Sequence, residues 1–540
     1  MTLFRLLLLL VAGATIPLHA ANFNVRDFGA RGDGAGLDSP AINAAIEAAA
    51  RAGGGTVRLP AGTYLSFSIR LRSKLTLHLD AGATLRAATP AEGFGAYDPP
   101  EPNEWGETHK YQDFGHSHWH NSLLWGENLS EVAITGAGRI DGHGLVRHAT
   151  YGSGARGPAG LGNKAIALKN CRNVTLRDFS ILNGGHFALL ATGVDNLTID
   201  GLRVDTNRDG FDVDACRNVR ISNCSVNSPN DDAIVLKSSY ALGEIRPCEN
   251  ITIANCLVSG FDVGSLLDGT FRRTVERAPD RDGPTGRIKL GTESNGPFRN
   301  ITITNCVFDR SRGLAIESVD GGVIEDVVVS NLVMRDISSS PIFIRLGNRA
   351  RGPAGTPIGA IRRVSISRIS VNGADGRFPV LLAGLPGHPI EDVTLADLHV
   401  VTRGGFTLEE VAQQPAGLVN AFFLRGEEPG ATGPRDPFAV PLREKAYPEP
   451  SMFGLLPASA LYARDVTNLA VRGVTIAFER EDARPRVVLE RVSTATFDAF
   501  VAPRPPTGAT FVLRRVSGFE CHRCPGVPNT RHDTADDMSF

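Results

Sequence analysis

The stretch Asp205–Ser239, DTNRDGFDVDACRNVRISNCSVNSPNDDAIVLKSS, decides the fold of this 540-residue chain. It contains CRNVRISNCSV, a run of alternating branched and polar residues that begins at Cys216, and similar runs recur along the sequence. Their first branched residues are Val174, Leu197, Val219, Ile251, Ile301, Val327, Val364 and Val393. Units of about 20 to 30 residues with short β-type runs are typical of a stacked solenoid. The repeat predicts an all-β fold, a parallel β-helix with its branched side chains pointing inward.

Acidic residues within this stretch form the candidate site. They are Asp209, Asp212, Asp214, Asp231 and Asp232. Asp209 and Asp231 each lie twelve residues after the first branched position of their own unit. They should therefore stack on one edge of the solenoid, since neighbouring coils lie roughly 4.8 Å apart. The same count places His186 on that edge one coil earlier.

Composition and charge limit the classes of partner. Hydrophobic residues make up 42% of the chain and charged residues 21%, which allows a large core. A formal charge of −2 predicts no nucleic-acid partner. Met1–Ala20 has the pattern of a secretory signal, with cleavage around Ala20 or Ala21, and no later segment looks able to span a membrane. We expect a periplasmic or extracellular monomer with no membrane partner.

Cysteines and histidines were weighed as possible ligands. Cys224, Cys256 and Cys306 occupy the same repeat position and predict a ladder of buried thiols, whereas Cys521 and Cys524 suit either a local disulfide or half of a metal site. His116, His118 and His120 alternate around Trp119. For these three we favour surface or aromatic packing over a metal site, because the sequence indicates no carboxylate partner.

A helix is predicted to cover the N-terminal end of the solenoid. Ser39 can cap it, Pro40 suits its first turn, Ile42 and Ile46 share a face, and glycines 53–55 stop it. The chain then divides into a signal peptide at 1–20, the cap and first coils at 21–125, the main β-helix domain at 126–480, and a closing segment at 481–540. Insertions are predicted at 260–297 and 402–460, where loops could build a binding face.

Four motifs resemble glycoside hydrolase family 28, the polygalacturonase and pectin-hydrolase family. They are the NVRDFGARGDG and AGGGTVRLPAGTY opening, the G-x-I-D-G turn at 138–142, the D-G-F-D block at 209–212 and the N-D-D block at 230–232. The last two are specific because they occur at this distance within this repeat. The resemblance implies a right-handed parallel β-helix of the pectin-lyase-like kind and a glycosidase activity.

Hydrolysis of a glycosidic bond needs one protonated carboxyl and one carboxylate that activates water or attacks carbon. Crowded carboxylates provide this asymmetry, because like charges raise the pKa of one member. The residues alone leave inverting and retaining mechanisms open. The resemblance implies inversion, with Asp231 as the acid and Asp209 and Asp232 holding the water. Asp212 and Asp214 could instead satisfy backbone donors or bind a structural ion.

The resemblance also implies a histidine in a G-H-G turn one coil after the aspartates. This sequence has no histidine at that place. His143 lies in a GHG turn far upstream of the aspartates, and no histidine follows Asp232 until His388. Asp262 or Thr285 occupies the approximate position instead. His186, one coil before Asp209, could compensate.

The family's cationic tripeptide, which binds the galacturonate carboxylate, is present as Arg287-Ile288-Lys289. The alignment of the repeats places this string one coil early and puts Ala315 and Glu317 in the usual positions of the two cations. Lys289 could still reach a uronate from the neighbouring coil, assisted by Arg287 or Lys237. A surface salt bridge is the alternative for Arg287.

The sequence therefore predicts a secreted hydrolase of α-linked galacturonate-containing pectic poly- or oligosaccharide. The catalytic set is Asp209, Asp231 and Asp232, and the substrate-binding set is His186, Lys237, Asp262, Arg287 and Lys289. We expect no cofactor and no metal. The alternatives are a rhamnogalacturonan-type hydrolase, a lyase on the same fold, and a non-catalytic polysaccharide-binding β-helix or adhesin.

Overall fold

The computed structural model describes residues 21–102, 111–112, 114–146, 160–276, 283–419 and 433–540. The predicted signal peptide, Met1–Ala20, lies outside these ranges. Among the described residues, no helix is long and apolar enough to cross a membrane.

Almost all regular structure is β. The helices are α1 Ser39–Arg51 and α2 Leu408–Gln413. The strands are β1 Asn22–Asn24, β2 Asp33–Leu37, β3 Gly55–Leu59, β4 Gly62–Ser66, β5 Ile69–Arg70, β6 Leu75–Leu79, β7 Ala83–Ala87, β8 Leu124–Glu127, β9 Ser130–Thr135, β10 Arg139–Asp141, β11 Lys164–Lys169, β12 Arg172–Arg177, β13 Ser180–Leu182, β14 Phe187–Thr192, β15 Asp195–Asp200, β16 Arg203–Asp205, β17 Asp209–Asp214, β18 Arg217–Ser222, β19 Ser225–Asn227, β20 Ile234–Ser238, β21 Cys248–Ala254, β22 Leu257–Ser259, β23 Ile288–Ser294, β24 Phe298–Asp309, β25 Leu314–Ser318, β26 Val323–Arg335, β27 Ile342–Leu346, β28 Ala360–Ala374, β29 Val380–Ala383, β30 Ile390–Gly404, β31 Leu461–Arg472, β32 Thr475–Arg480, β33 Val487–Asp498, β34 Phe511–His522 and β35 Thr530–Ser539.

The strands wind into a parallel β-helix. In its middle, each strand pairs in parallel with the strand three places later, as β14 does with β17 and β17 with β20. Each coil therefore contributes one strand to each of three sides. The side formed by β8, β11, β14, β17, β20, β23, β25, β27 and β29, and continued by β31, β33 and β34, carries the candidate site and is called the site sheet. The predicted fold class is confirmed.

The repeat found in the sequence is also the observed register. Leu197 pairs with Val174 on one side and Val219 on the other, and Val219 pairs with Ile251. All four side chains are buried in the central core. The alternation of branched and polar residues therefore fixes both the inward face and the stacking of the coils.

One turn between two sides repeats the same residue from coil to coil. Asn173, Asn196, Asn218, Asn250 and Asn300 all have positive φ, between 55° and 58°. Each amide nitrogen donates to the side-chain oxygen of the preceding asparagine, at 2.8 to 3.1 Å. Asparagine tolerates this left-handed conformation better than most residues, which explains the N-V and N-I pairs of the sequence repeat. We call this set the asparagine ladder.

Helix α1 covers the first coils, as predicted. It buries Ile42, Ala45, Ile46 and Ala49 in the central core. The N-cap residue is Asp38 rather than Ser39. The Asp38 carboxylate makes no capping bond and instead accepts hydrogen bonds from the backbone N–H groups of Arg31 and Gly32, at 2.7 and 3.1 Å.

Strand β23 lies inside the range predicted as the first insertion, 260–297, and is an ordinary member of the site sheet. Strands β33 and β34 continue the parallel stacking within the predicted closing segment, 481–540, and β35 then pairs antiparallel with β34. All eight cysteines are free and buried.

Residues 433–460 fold back over the outer face of the site sheet. Val440, Met452, Phe453 and Leu456 pack there against the outward side chains of β27, β29, β31, β33 and β34. Arg464 of β31 also donates to the carbonyl oxygens of residues 440–442, at 2.8 to 2.9 Å. This covering segment brings the residues around 447–449 to the middle of the sheet.

Candidate active site

The three candidate aspartates meet at one edge of the site sheet. Asp209 begins β17, and Asp231 and Asp232 lie in the turn that leads into β20. One carboxylate oxygen from each lies within 4.8 Å of the others. The backbone N–H of Asp232 donates to an oxygen of Asp209 and to an oxygen of Asp231, both at 3.2 Å. The residues are only 4%, 6% and 3% exposed, so their charges interact through little water.

The register around this edge differs by one residue from the sequence count. Before the edge, Asp205 pairs with Asn227, an offset of 22 residues, whereas after it Phe211 pairs with Ile234, an offset of 23. The coil that contains Asp231 and Asp232 therefore has one extra residue in the turn before β20. As a result Asp232, not Asp231, stands beside Asp209, and the prediction that Asp209 and Asp231 are direct stacking partners is wrong by one position.

The surroundings of Asp209 favour its protonated form. Burial, followed by the negative charge of Asp231, raises the pKa of Asp209 well above its usual value, although the Lys237 ammonium opposes the shift. The Arg208 guanidinium donates to Asp231 Oδ2 at 2.7 Å and favours the charged form of that carboxylate. The surroundings thus favour a proton on Asp209, whereas the family resemblance implies Asp231 as the acid.

Arg208 was missed by the sequence reasoning. It lies directly before Asp209, and the strand register places it between His186 of the preceding coil and Asp231 of the next. Its Nη1 lies 3.4 Å from His186 Nδ1, and the His186 ring packs edge-on against Phe187, with centroids 4.5 Å apart. The structure therefore joins His186 to the aspartates through Arg208. The only sequence signal was that Arg208 directly precedes the D-G-F-D block.

The tripeptide cations contact the trio directly. Arg287 Nε donates to Asp232 Oδ1 at 2.7 Å, and Lys289 Nζ lies 3.3 Å from Asp232 Oδ2. Both side chains are buried, at 2% and 1% exposure. The surface salt bridge considered for Arg287 is therefore not what the structure contains. Asp232 therefore has two cationic partners.

Two protein carboxylates complete the surroundings of these cations. Glu449 of the covering segment accepts from Arg287 Nη2 at 2.8 Å, and Glu317 of β25 lies 3.5 Å from Lys289 Nζ. The Tyr447 hydroxyl is 3.3 Å from Lys289 Nζ. Ala315, the other replaced position, lies in the apolar cluster under the covering segment. Glu449 and Tyr447 were not found from the sequence, because no repeat links them to the tripeptide.

Lys237 lies in a second buried cluster further across the sheet. Its Nζ is 2.8 Å from Asp212 Oδ2 and 3.3 Å from Glu293 Oε2, and it contacts the ring of His116. His116 Nε2 is itself 2.9 Å from Asp212 Oδ2. The expectation that the histidines near Trp119 lack carboxylate partners is therefore wrong, and His120 confirms the correction with Glu127 at 2.9 Å.

Asp262 and Asp214 accept hydrogen bonds from nearby loop residues. The Asp262 carboxylate accepts hydrogen bonds from Thr274 and Val275 and so closes the loop 262–275. Asp214 accepts from the backbone and hydroxyl of Ser239, and burial raises its pKa to about 6. Asp214 thus fits the interpretation as an acceptor for backbone donors, whereas Asp212 pairs with the side chains of Lys237 and His116. No described contact joins Asp262 to the aspartate trio.

The spacing of the trio is also suited to a metal ion, since three oxygens converge within 4.8 Å. The charges around it fit a cation poorly. Arg208 already contacts Asp231, and Arg287 and Lys289 contact Asp232. An entering ion would meet three positive side chains, whereas acid–base chemistry needs only the asymmetry of protonation that is present.

Comparisons with known proteins agree with this site. Residues 59–277 match the model of Glycosyl hydrolases family 28. A probable polygalacturonase of Vitis vinifera is 25% identical over 341 residues, which is 60% of this chain and 62% of that protein. The match thus spans less than two thirds of the length of that relative. An endo-polygalacturonase of Pectobacterium parmentieri is 24% identical over 328 residues, or 56% of this chain and 78% of that protein.

Solved structures agree on the fold. A family 28 exopolygalacturonase of Yersinia enterocolitica superposes with a TM-score of 0.61 at 19% identity, covering 88% of this chain and 78% of that one. An exopolygalacturonase of Thermotoga maritima superposes with a TM-score of 0.55 at 21% identity, covering 71% and 87%. The family match includes the coils that carry the three aspartates, so the site-bearing part of this β-helix is similar to glycosyl hydrolases family 28.

Proposed function

We propose that this protein hydrolyses α-linked, galacturonate-containing pectic poly- or oligosaccharides, with Asp209, Asp231 and Asp232 as its acid–base machinery. The observation that carries the proposal is the convergence of three buried carboxylates at one edge of the site sheet, with one oxygen from each within 4.8 Å of the others. The polygalacturonase relatives support the choice of pectic substrate.

In the proposed reaction, one carboxyl gives its proton to the glycosidic oxygen as the bond from that oxygen to C1 breaks. A water molecule attacks C1 and gives a proton to a second carboxylate. Asp232 suits the second role, because Arg287 and Lys289 both contact it. Asp231 becomes the donor when the substrate draws Arg208 away from it and the proton passes from Asp209.

We propose inversion at C1, following the family resemblance. The carboxylate oxygens lie within 4.8 Å of one another, a distance that one water hydrogen-bonded to two of them can bridge, although inverting carboxyl groups usually stand about 6.5 to 9.5 Å apart. The attacking water would lie against Asp209 and Asp232. Proton NMR of the first-formed reducing end tests this step: the β-anomer is expected, and the α-anomer would contradict inversion.

Product analysis tests the proposal as a whole. Wild type and Asp231→Asn are incubated with polygalacturonate, oligogalacturonates and rhamnogalacturonan, and absorbance is read for unsaturated ends. Saturated products that appear with wild type and are lost in the variant support hydrolysis at this site. Unsaturated products would indicate a lyase, and binding without turnover would indicate a carbohydrate-binding module.

A rhamnogalacturonan-type hydrolase is the second candidate, and the pairing of Lys289 with Glu317 favours it, because a protein carboxylate stands where a cation would serve a uronate. We also propose that the protein is secreted. N-terminal sequencing of the protein recovered from periplasm or medium should then begin at Ala21 or Asn22, and an intact Met1 would contradict it.

A further inference from the structure

The cations that would receive a substrate carboxylate are already held by carboxylates of the protein. Arg287 and Lys289 both contact Asp232, but each also has a second acidic partner, Glu449 for Arg287 and Glu317 for Lys289. All these side chains are at most 4% exposed. Carboxylates of the protein itself therefore neutralise the two cations beside the trio.

The guanidinium of Arg287 has its directional donors occupied. Nε donates to Asp232 at 2.7 Å, while Nη2 and Nη1 reach the two oxygens of Glu449 at 2.8 and 3.4 Å. Arg312 Nη1 lies 3.2 Å from the same carboxylate and helps to hold it there. A uronate could accept the two-pronged bond of Arg287 only by expelling Glu449, which would leave a buried carboxylate with fewer partners.

Lys289 is restricted in the same way. Its Nζ lies between Asp232 and Glu317, at 3.3 and 3.5 Å, with the Tyr447 hydroxyl at 3.3 Å. Glu317 is fully buried, and a second anion brought to Lys289 would face both Glu317 and Asp232. Like charges at this distance in a site with little water repel strongly.

We propose that the subsite lined by Arg287 and Lys289 takes a sugar whose C6 carries no free carboxylate, either a methyl-esterified uronate or a neutral hexose. Glu317 and Glu449 are then the specificity-determining residues. This inference rests on the proposed function, since it names the class of sugar that the same trio acts on. The shared chemistry of the two sugars is an uncharged, polar C6 group.

Three α-1,4-linked trisaccharides that differ only at C6 test the inference: trigalacturonate, its methyl ester, and the neutral galactose trisaccharide. Values of kcat/KM are measured for wild type, and dissociation constants by calorimetry for Asp231→Asn. We expect at least about tenfold preference for the uncharged sugars, the size of one charge-assisted hydrogen bond. Comparison of the methyl ester with the galactose trisaccharide shows which of the two uncharged sugars the subsite prefers. Preference for the free acid in either measurement would overturn the inference.

Isosteric variants test whether the two glutamates cause the preference. At pH 8, above the raised pKa of about 7 that burial gives Glu317, the ratio of kcat/KM for acid over ester should rise about tenfold in Glu317→Gln and Glu449→Gln, because each change removes one repelling charge and releases a cation. Glu490→Gln is the matched control, since Glu490 is a mostly buried glutamate of the same sheet, paired with Arg491 and Arg515, and its ratio should stay as in wild type. An unchanged ratio in both test variants contradicts the assignment.

The proposed function and this inference fail differently. If Asp231→Asn keeps full turnover on every substrate, the catalytic proposal is wrong, whatever the preference for charge. If turnover is lost in that variant but the free acid remains the better ligand, hydrolysis by the trio stands and the inference about the subsite is wrong.

Discussion

At one edge of the coils the asparagine ladder repeats a neutral side chain, whereas at another edge of the same coils carboxylates and cations alternate. The ladder keeps its register, and each amide satisfies the next at 2.8 to 3.1 Å. The charged edge has one extra residue in its turn and brings three carboxylates within 4.8 Å of one another. The same repeat thus supports both a stabilising edge and an edge where like charges crowd together.

The two edges serve different purposes: the asparagine ladder stabilises the fold, and the charged edge carries the candidate active site. Stacked amides need no counter-charge, so the ladder depends on nothing beyond its own coils. The stacked carboxylates are contacted by Arg208, Arg287 and Lys289, while burial and the charge of Asp231 raise the pKa of Asp209. Changes at the charged edge should therefore alter catalysis and pH dependence, and changes at the ladder should alter stability alone.

The largest effect is expected for Asp209→Asn. We expect kcat to fall about 10³-fold, the usual scale of one acid–base group, while the melting temperature stays within about 2 °C. Stability is spared because burial disfavours the charge that the substitution removes, and an amide oxygen can still accept from the Asp232 N–H. Reducing-end assays and calorimetry measure the two quantities. A variant with more than a tenth of wild-type kcat would remove Asp209 from the machinery.

Next in size is the pH dependence introduced by Glu317. Burial, opposed by Lys289, raises the pKa of Glu317 to about 7 from its usual 4.5. Between these values the folded protein binds more protons than the unfolded chain, so stability falls as pH rises through the window. Glu317→Gln should lack this loss, which is on the order of 3 kcal/mol.

Urea unfolding of wild type and Glu317→Gln at pH 4.5 and pH 8 measures that difference. The variant should gain relative to wild type at the higher pH. Equal slopes of stability against pH in both proteins would mean that Glu317 ionises normally and that Lys289 compensates its charge fully.

A smaller shift is expected at Arg208. In Arg208→Gln the protonated form of Asp231 is no longer disfavoured, so the basic limb of the profile of kcat/KM against pH should move up by about one unit. Arg217→Gln is the control beside the ladder, because Arg217 also pairs with an aspartate, Asp195, at 2.9 Å but far from the trio. A shift in both variants would point to a general charge effect instead.

The smallest effect belongs to the ladder itself. Asn218→Gly keeps the positive φ but removes the amide, and Asn218→Ala removes the amide and strains the backbone. We expect losses of about 1 kcal/mol in the free energy of unfolding for glycine and about 1 kcal/mol more for alanine. Urea titration measures them. A change of kcat beyond about twofold would contradict the separation of the two edges.

Much of this fold could be predicted because it is periodic. Leu197, Val219 and Ile251 were aligned from the sequence, and the structure pairs them in that register. The three aspartates were brought to one edge by the same count. The count failed only where the turn before β20 gains a residue, since an irregular turn leaves no trace in the pattern of branched residues.

The partners of the trio were harder to predict because they come from outside the repeat. Glu449 meets Arg287 across 162 residues of chain, and His116 meets Lys237 across 121. Neither loop has a period that would fix its position. Arg208 lies within the motif, but whether its side chain turns toward Asp231 depends on the coil that follows, which only the folded structure defines.

Strand β35 has a consequence for how these molecules behave in concentrated solution. A parallel β-helix offers the open hydrogen-bonding edge of its final coil to any similar edge, and such edges can join copies into fibres. Here β35 runs against the direction of β34 and presents Asp533, Asp536 and Asp537 in the strand that covers it. The carboxylates of two such strands would repel each other, so this strand disfavours edge-to-edge pairing of two copies.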